Sequence, residues 1–120
     1  MSKANQQLIT YQLEIMLAEP TRLSIGKFGI FTFPAGRYAY TGSARRYIEA
    51  RIARHLSQDK KLRWHIDYLL ASCHASIVNV TRHTTPECEI NRRTDGHILI
   101  AGFGASDCHA GCGSHLKYVT

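Results

Sequence analysis

The hydrophobic pattern begins with an alternation that predicts a β-strand from Leu8 to Ala18. Apolar side chains fall on every second residue, which is the period of a strand with one buried face. Glu19-Pro20-Thr21 ends this strand. The apolar face is predicted to hold Ile9, Tyr11, Leu13, Ile15 and Leu17.

A small β-hairpin is predicted next, near residues 22–33. Two short apolar runs flank the turn Gly26-Lys27-Phe28-Gly29, and Pro34-Ala35-Gly36 closes the unit. The alternation from Arg37 to Thr41 predicts a further strand. The N-terminal third is therefore expected to be a β-meander that leads into the first helix, while the polar residues 1–7 are expected to be a flexible terminus.

The pattern changes from strand to helix spacing at Gly42. Gly42 breaks the strand, and Ser43 is expected to cap the helix that follows. From there, apolar residues recur every four positions, as on one face of a helix. These residues are Ala44, Ile48, Ile52 and Leu56.

A row of polar groups lies beside this apolar face. Tyr47, Arg51 and His55 are four residues apart, so a phenol, a guanidinium and an imidazole are expected to face one site, with Tyr40 just before them. The helix N-terminus, with its free N–H groups, suits a phosphate. The alternative is an ordinary solvated basic face, and spacing alone does not decide between the two.

Four more elements are predicted in the second half of the chain. Ser57-Gln58-Asp59 offers a stop and a new cap for a second helix over residues 60–73. Ile77 to Val80 is predicted to be a strand. Thr85-Pro86-Glu87 has the cap, the proline and the acid of a helix start, and Leu116 to Val119 is expected to close as an edge strand.

Composition and charge narrow the class of protein. A chain of 120 residues with 44% hydrophobic residues suits one globular domain, which we place at residues 8–120. It holds no apolar run of the roughly 18 residues that a membrane span needs, and no secretory leader is recognisable, so a cytoplasmic location is expected. The net charge of +6 favours an anionic partner, most simply nucleic acid, over a mere solubilising excess of charge.

The stretch from Lys60 to Tyr68 interleaves cations with aromatic residues. This mixture suits a nucleic-acid groove, where cations meet phosphates and rings stack or pack. The alternative makes Trp64 and Tyr68 core aromatics and Asp67 a structural hydrogen-bond partner.

Two metal sites are considered. The acidic pair Glu87 and Glu89 is typical of a Mg²⁺ site that relies on carboxylate, water and substrate phosphate, although Glu87 also suits the positive end of a helix. Cys108, Cys112 and His115, with His109 beside them, are soft ligands, but their spacing is tighter than in a typical zinc finger. A structural zinc is therefore not expected. These residues are instead expected to be buried thiols and loop histidines.

Other enzyme classes find little support in the sequence. The G-x-S-x-G elbow of serine hydrolases, the phosphate-binding P-loop and the dinucleotide-binding fingerprint are all absent.

Several motifs together resemble the GIY-YIG nuclease superfamily, and most closely its Uri-type branch. Tyr40-Thr41-Gly42 followed by a helix with Arg51 and His55 resembles the second half of the GIY-YIG signature. The resemblance runs from about Leu8 to the C-terminus. The remaining motifs, in the same order, are Phe33-Pro34-Ala35-Gly36, Arg51-Ile52-Ala53-Arg54-His55-Leu56, Lys60-Lys61-Leu62-Arg63-Trp64-His65-Ile66-Asp67-Tyr68, Glu87-Cys88 and Gly102-Phe103-Gly104-Ala105-Ser106-Asp107-Cys108.

The resemblance implies an α+β fold, with a small, mainly antiparallel sheet flanked by helices and an inserted hairpin. It implies a metal-dependent endonuclease that hydrolyses DNA phosphodiester bonds in DNA repair or processing, with Mg²⁺ or Mn²⁺ held by Glu87. Tyr40 is the tyrosine of the second half-motif, Arg51 binds phosphate and His55 is its helix partner. Ile9-Thr10-Tyr11 is taken as the first half-motif, with Ile9 in the place of the leading glycine, so that Tyr11 helps to activate water.

The expected partner is nucleic acid, with DNA favoured over RNA, and no membrane. The residues expected to contact nucleic acid are Arg45, Arg46, Arg54, Lys60, Lys61, Arg63, Trp64 and His65. The alternative function is a nucleic-acid-binding module of the same fold that has lost catalysis.

Overall fold

A computed structural model describes residues 7–44, 46–57, 60–104 and 114–120. The predicted contact Arg45, the predicted cap Asp59, and Cys108 and Cys112 of the weak zinc set lie outside the described residues. In chain order the elements are β1 (Thr10–Leu17), β2 (Thr21–Ile25), β3 (Gly29–Phe33), β4 (Gly36–Ser43), α1 (Ile48–Leu56), α2 (His65–Leu70), β5 (Ala75–His83), α3 (Glu87–Arg93) and β6 (Leu116–Tyr118).

The main sheet has four strands in the order β5-β1-β4-β6, and each neighbouring pair is antiparallel. Among the described strands, β2 and β3 pair only with each other and form a separate hairpin, so the mainly antiparallel α+β fold and the inserted hairpin are confirmed. The predicted meander is wrong in one respect. β1 pairs with β4 rather than with β2, because the hairpin is looped out of the sheet, and Leu13 therefore lies opposite Tyr40.

The helices cover both faces of this sheet. The alternation in β1 buries Tyr11, Leu13, Ile15 and Leu17 in one core. Side chains of α1 and α2 belong to the same core, including Ile52, Ile66 and Leu69. The helix α3 lies on the opposite face, where Gln12 of β1 donates hydrogen bonds to Thr94, at 2.6 Å, and to Thr41. The site described below therefore draws on elements from both sides of the sheet.

The helices begin later than the sequence predicts. Ser43 is not a cap: it is the last residue of β4 and pairs with Thr10, so the chain is still extended there. The helix α1 starts at Ile48 after Tyr47, which has a left-handed backbone with φ of 58°. The spacing from Arg51 to His55 is unaffected, since both lie well inside α1.

The helices α2 and α3 also begin later than predicted, and hydrogen bonds form at the start of each. The helix α2 begins at His65 instead of residue 60, and the Asp67 carboxylate accepts the backbone N–H groups of Arg63 and Trp64 at 2.8 and 2.9 Å. For α3, Pro86 rather than Thr85 is the capping position, while the carbonyl of Thr85 accepts a hydrogen bond from Thr10. In the described part of the chain, no helix has the length and apolar character needed to span a bilayer.

Candidate active site

A cavity of about 250 Å³ opens where the ends of several elements meet. Four of the side chains that line it are Tyr11 from β1, Tyr40 from β4, Arg51 from α1 and Glu87 from the start of α3. Residues distant in the sequence thus meet in one place. The other described residues that line the cavity are Gly42, Ser43, Arg63, Trp64, His65, Gly104 and His115.

A buried pair joins Tyr11 to the first helix. The Tyr11 Oη and the His55 Nε2 lie 2.7 Å apart, a hydrogen bond whose proton position depends on the tautomer. Burial raises the pKa of Tyr11 to about 12, against the opposing effect of the Arg51 guanidinium. Burial lowers the pKa of His55 to about 4. At neutral pH the phenol is therefore protonated and the imidazole is neutral, so the resting pair is joined by a hydrogen bond between two neutral groups.

Acid is expected to destabilise the fold through His55. Its pKa is about 4 in the folded protein against an ordinary 6.5, so protonation favours the unfolded chain. The free energy of unfolding should be unaffected above pH 6.5 and should fall on the order of 3 kcal/mol as the pH drops from about 6.5 to about 4. Urea unfolding at a series of pH values checks this, with His55→Gln as the comparison. The same pH dependence in the variant would contradict the assignment.

The two neighbouring strands bring the two phenols together. The register places Gly42 opposite Tyr11 and Tyr40 opposite Leu13. A Cβ atom at Gly42 would lie 2.5 Å from the Tyr11 Oη, so only glycine allows the ring to lie against β4. Burial raises the pKa of Tyr40 well above its usual value. Tyr40 is therefore a neutral hydrogen-bonding group at the cavity wall.

Trp64 holds two guanidinium groups near the site. The guanidinium carbon of Arg51 lies 4.8 Å from the centre of the Trp64 ring, and that of Arg54 lies 4.1 Å from it. Arg51 also donates a long hydrogen bond, 3.4 Å, to the carbonyl of Ser43. The Arg51 guanidinium thus lines the cavity without an acidic partner among the described residues, which leaves its charge available to an anion.

Arg54 and Lys60, in contrast, donate hydrogen bonds to other groups of the protein. Arg54 donates two hydrogen bonds to the carboxylate of the buried Asp67, at 2.9 and 3.0 Å. Lys60 donates to the carbonyls of Arg54 and His55 at the end of α1. Burial acts to raise the pKa of Asp67, but the hydrogen bonds from Arg54 and from two backbone amides keep it below its ordinary value.

Asp67→Asn is expected to destabilise the fold by about 2–4 kcal/mol. The change leaves Arg54 facing a neutral group and weakens the bonds that start α2, with some relief because Arg54 is partly exposed. Denaturant unfolding measures the effect, and the exposed Asp95→Asn serves as a matched control that should change stability by less than about 0.5 kcal/mol. Equal losses in the two variants would show that the pair has no special role.

Glu87 is the carboxylate that could hold a metal ion in this cavity. Its Oε2 lies 3.4 Å from Nδ1 of the buried His115. Within the described residues, no group of three or more His, Cys, Asp or Glu side chains could hold a metal. One carboxylate does fit Mg²⁺ or Mn²⁺, which keep waters and bind substrate phosphates. Glu89, the other acid of the pair, bonds to Arg93 at 3.1 Å and does not line the cavity.

One known family matches almost the whole length of the chain. The sequence model of a family described as a domain of unknown function, DUF123, matches residues 10–120. The chain belongs to the DUF123 family. The matched range includes every described strand and helix of the chain. Searches of curated proteins and of solved structures give no match.

In this DUF123 domain, most of the residues expected at the site do come together. Four of the five predicted catalytic side chains line the cavity, and the fifth, His55, bonds to Tyr11 beneath it. Of the predicted nucleic-acid contacts, Arg63, Trp64 and His65 line the cavity too. Arg46 and Lys61 are exposed but do not line it, and Tyr47 is 81% exposed at the start of α1.

Four residues that line the cavity are not among the site residues predicted from the sequence: Gly42, Ser43, Gly104 and His115. The sequence marks His115 only as a weak zinc ligand, but in the structure it contacts Glu87. Gly104 lies beside Tyr40, where a Cβ atom would come within 2.9 Å of the Tyr40 ring. The glycine-rich run around Gly104 was the only local signal for a close approach, and nothing local in the sequence pairs His115 with Glu87.

Proposed function

We propose that this DUF123 domain is a metal-dependent endonuclease that hydrolyses DNA phosphodiester bonds. The observation that carries the proposal is the convergence of Tyr11, Arg51 and Glu87 in one cavity, with His55 bonded to Tyr11. Hydrolysis of a phosphodiester needs a group that binds the phosphate, a route for the proton of the attacking water and a stabiliser for the developing charge. Arg51 suits the first task, Tyr11 the second, and a divalent cation that Glu87 would hold suits the third.

Arg51 binds the non-bridging oxygens of the scissile phosphate. Its guanidinium is held over Trp64 at the cavity mouth, and a planar cation can donate to two phosphate oxygens at once. Because the phosphate gains negative charge in the transition state, this contact strengthens as the reaction proceeds.

Tyr11 and His55 carry the proton away from the attacking water. The Tyr11 oxygen accepts the water proton while the phenol passes its own proton to His55 Nε2, so the water attacks phosphorus as hydroxide and the imidazole ends protonated. A phosphodiester anion bound in the cavity would favour the protonated form of His55, in the direction opposite to the effect of burial on its pKa. A divalent cation held by Glu87 would supply the charge that polarises the phosphate and stabilises the leaving oxygen.

The resemblance to Uri-type GIY-YIG nucleases supports the same proposed function. The residues that this resemblance implies are Tyr11, Tyr40, Arg51, His55 and Glu87, drawn from motifs spread over most of the chain. Tyr11 and Tyr40 lie on adjacent antiparallel strands, as two halves of one signature should. We propose on these grounds that the domain is a member of that nuclease branch.

The charge of the protein supports a nucleic-acid substrate. The net charge is +6, and Arg63 lines the cavity. Arg46 and Lys61 are exposed, and each lies within a few residues of a cavity-lining residue in the sequence. These cations would strengthen the binding of a polyanion whatever its sequence. We propose DNA rather than RNA as the substrate.

An assay of the purified protein on single-stranded, duplex and branched DNA, with matched RNA, tests the proposal. We expect DNA cleavage with Mg²⁺ or Mn²⁺ that stops when EDTA is added. Salt-dependent DNA binding with no cleavage under any divalent cation would instead favour the second candidate, a binding module without catalysis. Cleavage that persists in EDTA would contradict the metal dependence.

A further inference from the structure

His65, the first residue of α2, has its ring fixed at the cavity wall by a backbone contact. The N–H of Gly104 donates to His65 Nδ1 at 2.9 Å, and both residues line the cavity. A ring nitrogen that accepts a hydrogen bond carries no proton, so in the neutral imidazole the proton is on Nε2. Burial lowers the pKa of His65, which favours this neutral form.

Aromatic side chains clamp the same ring. Phe28, in the turn between β2 and β3, stacks on His65 with ring centres 4.2 Å apart and an angle of 12° between the planes. Phe103 also packs against His65, with 5.5 Å between the ring centres. Gly26 and Gly29 flank the turn with positive φ values of 49° and 137°, so the backbone that carries Phe28 is a tight turn that ordinary residues would strain.

The stacking of Phe28 on His65 therefore links the looped-out hairpin to the cavity wall. Within the described residues, no hydrogen bond is made by His65 Nε2, and this nitrogen is not among the buried atoms that lack a partner. The ring thus has one nitrogen committed to the protein and one proton-bearing nitrogen left at the cavity wall.

We propose that His65 donates its Nε2–H to a non-bridging oxygen of the phosphodiester in the cavity, with Phe28 and Gly104 as positioning residues. The inference rests on the proposed function, since it names a further substrate contact of the same site. His65 adds a neutral, directional donor to the charge of Arg51. A neutral donor stabilises an anion without an additional full charge that must be desolvated. It also gives the hairpin a role, because the turn that carries Phe28 sets where this donor lies.

Two isosteric variants separate this role from a structural one. A Gln amide nitrogen can approximate Nε2 of histidine, while an Asn amide approximates Nδ1. We expect His65→Asn to bind a short DNA duplex about tenfold more weakly and His65→Gln to stay within about threefold of the wild type. Ca²⁺ replaces Mg²⁺ in this titration so that the duplex is not cut. Trp64 is the sole tryptophan and lines the cavity, so its fluorescence reports binding.

The hairpin contact has its own pair of variants. Phe28→Tyr keeps the stacked ring and should bind the duplex like the wild type, whereas Phe28→Leu should weaken binding in the same direction as His65→Asn but less. The unfolding midpoint of each variant is measured alongside. Equal affinity of wild type, His65→Asn and Phe28→Leu would overturn the proposal.

Histidine labelled with ¹⁵N gives a test that depends on no variant. In the free protein we expect His65 Nε2 to carry the proton and Nδ1 to be bare, and the Nε2–H resonance to move when the duplex is added. The opposite tautomer, or an Nε2–H that ignores the duplex, would overturn the proposal even if the domain cleaves DNA. Conversely, a domain that binds with this signature and never cleaves would refute the nuclease and leave the His65 contact standing.

Discussion

Tyr11→Phe is expected to lower the rate of DNA cleavage by about 10²- to 10⁴-fold while leaving the fold intact. The phenylalanine ring fills the same space against Gly42 but cannot accept the water proton or pass one to His55. The measurement is single-turnover cleavage of a duplex at saturating protein, with Mg²⁺ or Mn²⁺, so that binding does not limit the rate.

Tyr47→Phe is the matched control, because it removes a hydroxyl from a tyrosine that is 81% exposed at the start of α1. It should cleave at close to the wild-type rate. A Tyr11→Phe protein that cleaves as fast as Tyr47→Phe would show that the Tyr11 and His55 pair is structural, and the proton would need another route.

Glu87→Gln is expected to lower the cleavage rate by about 10²- to 10³-fold, because the amide removes the charge that would hold the cation and several kcal/mol of transition-state stabilisation with it. The matched control is Glu89→Gln, in the same first turn of α3, whose carboxylate bonds to Arg93. It should retain cleavage.

A binding measurement separates loss of metal from loss of chemistry. Titration calorimetry with Mn²⁺ should show one site in the wild type and in Glu89→Gln, and a much weaker one in Glu87→Gln. If Glu89→Gln loses the metal and Glu87→Gln keeps it, then the choice between the two acids is wrong.

Much of this fold follows from local patterns in the sequence. The alternation in β1 correctly predicts the buried face that carries Tyr11, and the glycine-rich turn correctly predicts the hairpin. Both signals depend only on neighbouring residues: the period of a strand and the backbone freedom of glycine. The helix spacing likewise puts Arg51 and His55 on one side of α1, near Tyr11.

The remaining features depend on long-range contacts that no local pattern encodes. Ser43 has the chemistry of a helix cap, but pairing with Thr10 keeps it in β4 and moves the helix start to Ile48. Tertiary pairing thus overrides a capping preference worth about 1 kcal/mol. Arg54 was expected to contact nucleic acid because it is basic, and only the folded chain shows its bond to Asp67.

The sequence predicts this site only through its resemblance to a known family. Spacing alone left a solvated basic face as an equal alternative for Tyr47, Arg51 and His55, and the structure separates them, with Tyr47 exposed and His55 buried. Glu87 reaches the cavity because α3 folds onto the second face of the sheet, and its contact with His115 depends on the last strand.

The most direct test of the central claim, that this cavity is a phosphodiesterase site, is nicking of a supercoiled plasmid in Mn²⁺ by wild type, Arg51→Ala and Arg92→Ala. Arg92 is an exposed arginine at the end of α3 and does not line the cavity. The account predicts nicking by the wild type and by Arg92→Ala, and a loss of about 10²- to 10³-fold in Arg51→Ala. Equal nicking by all three proteins would contradict it.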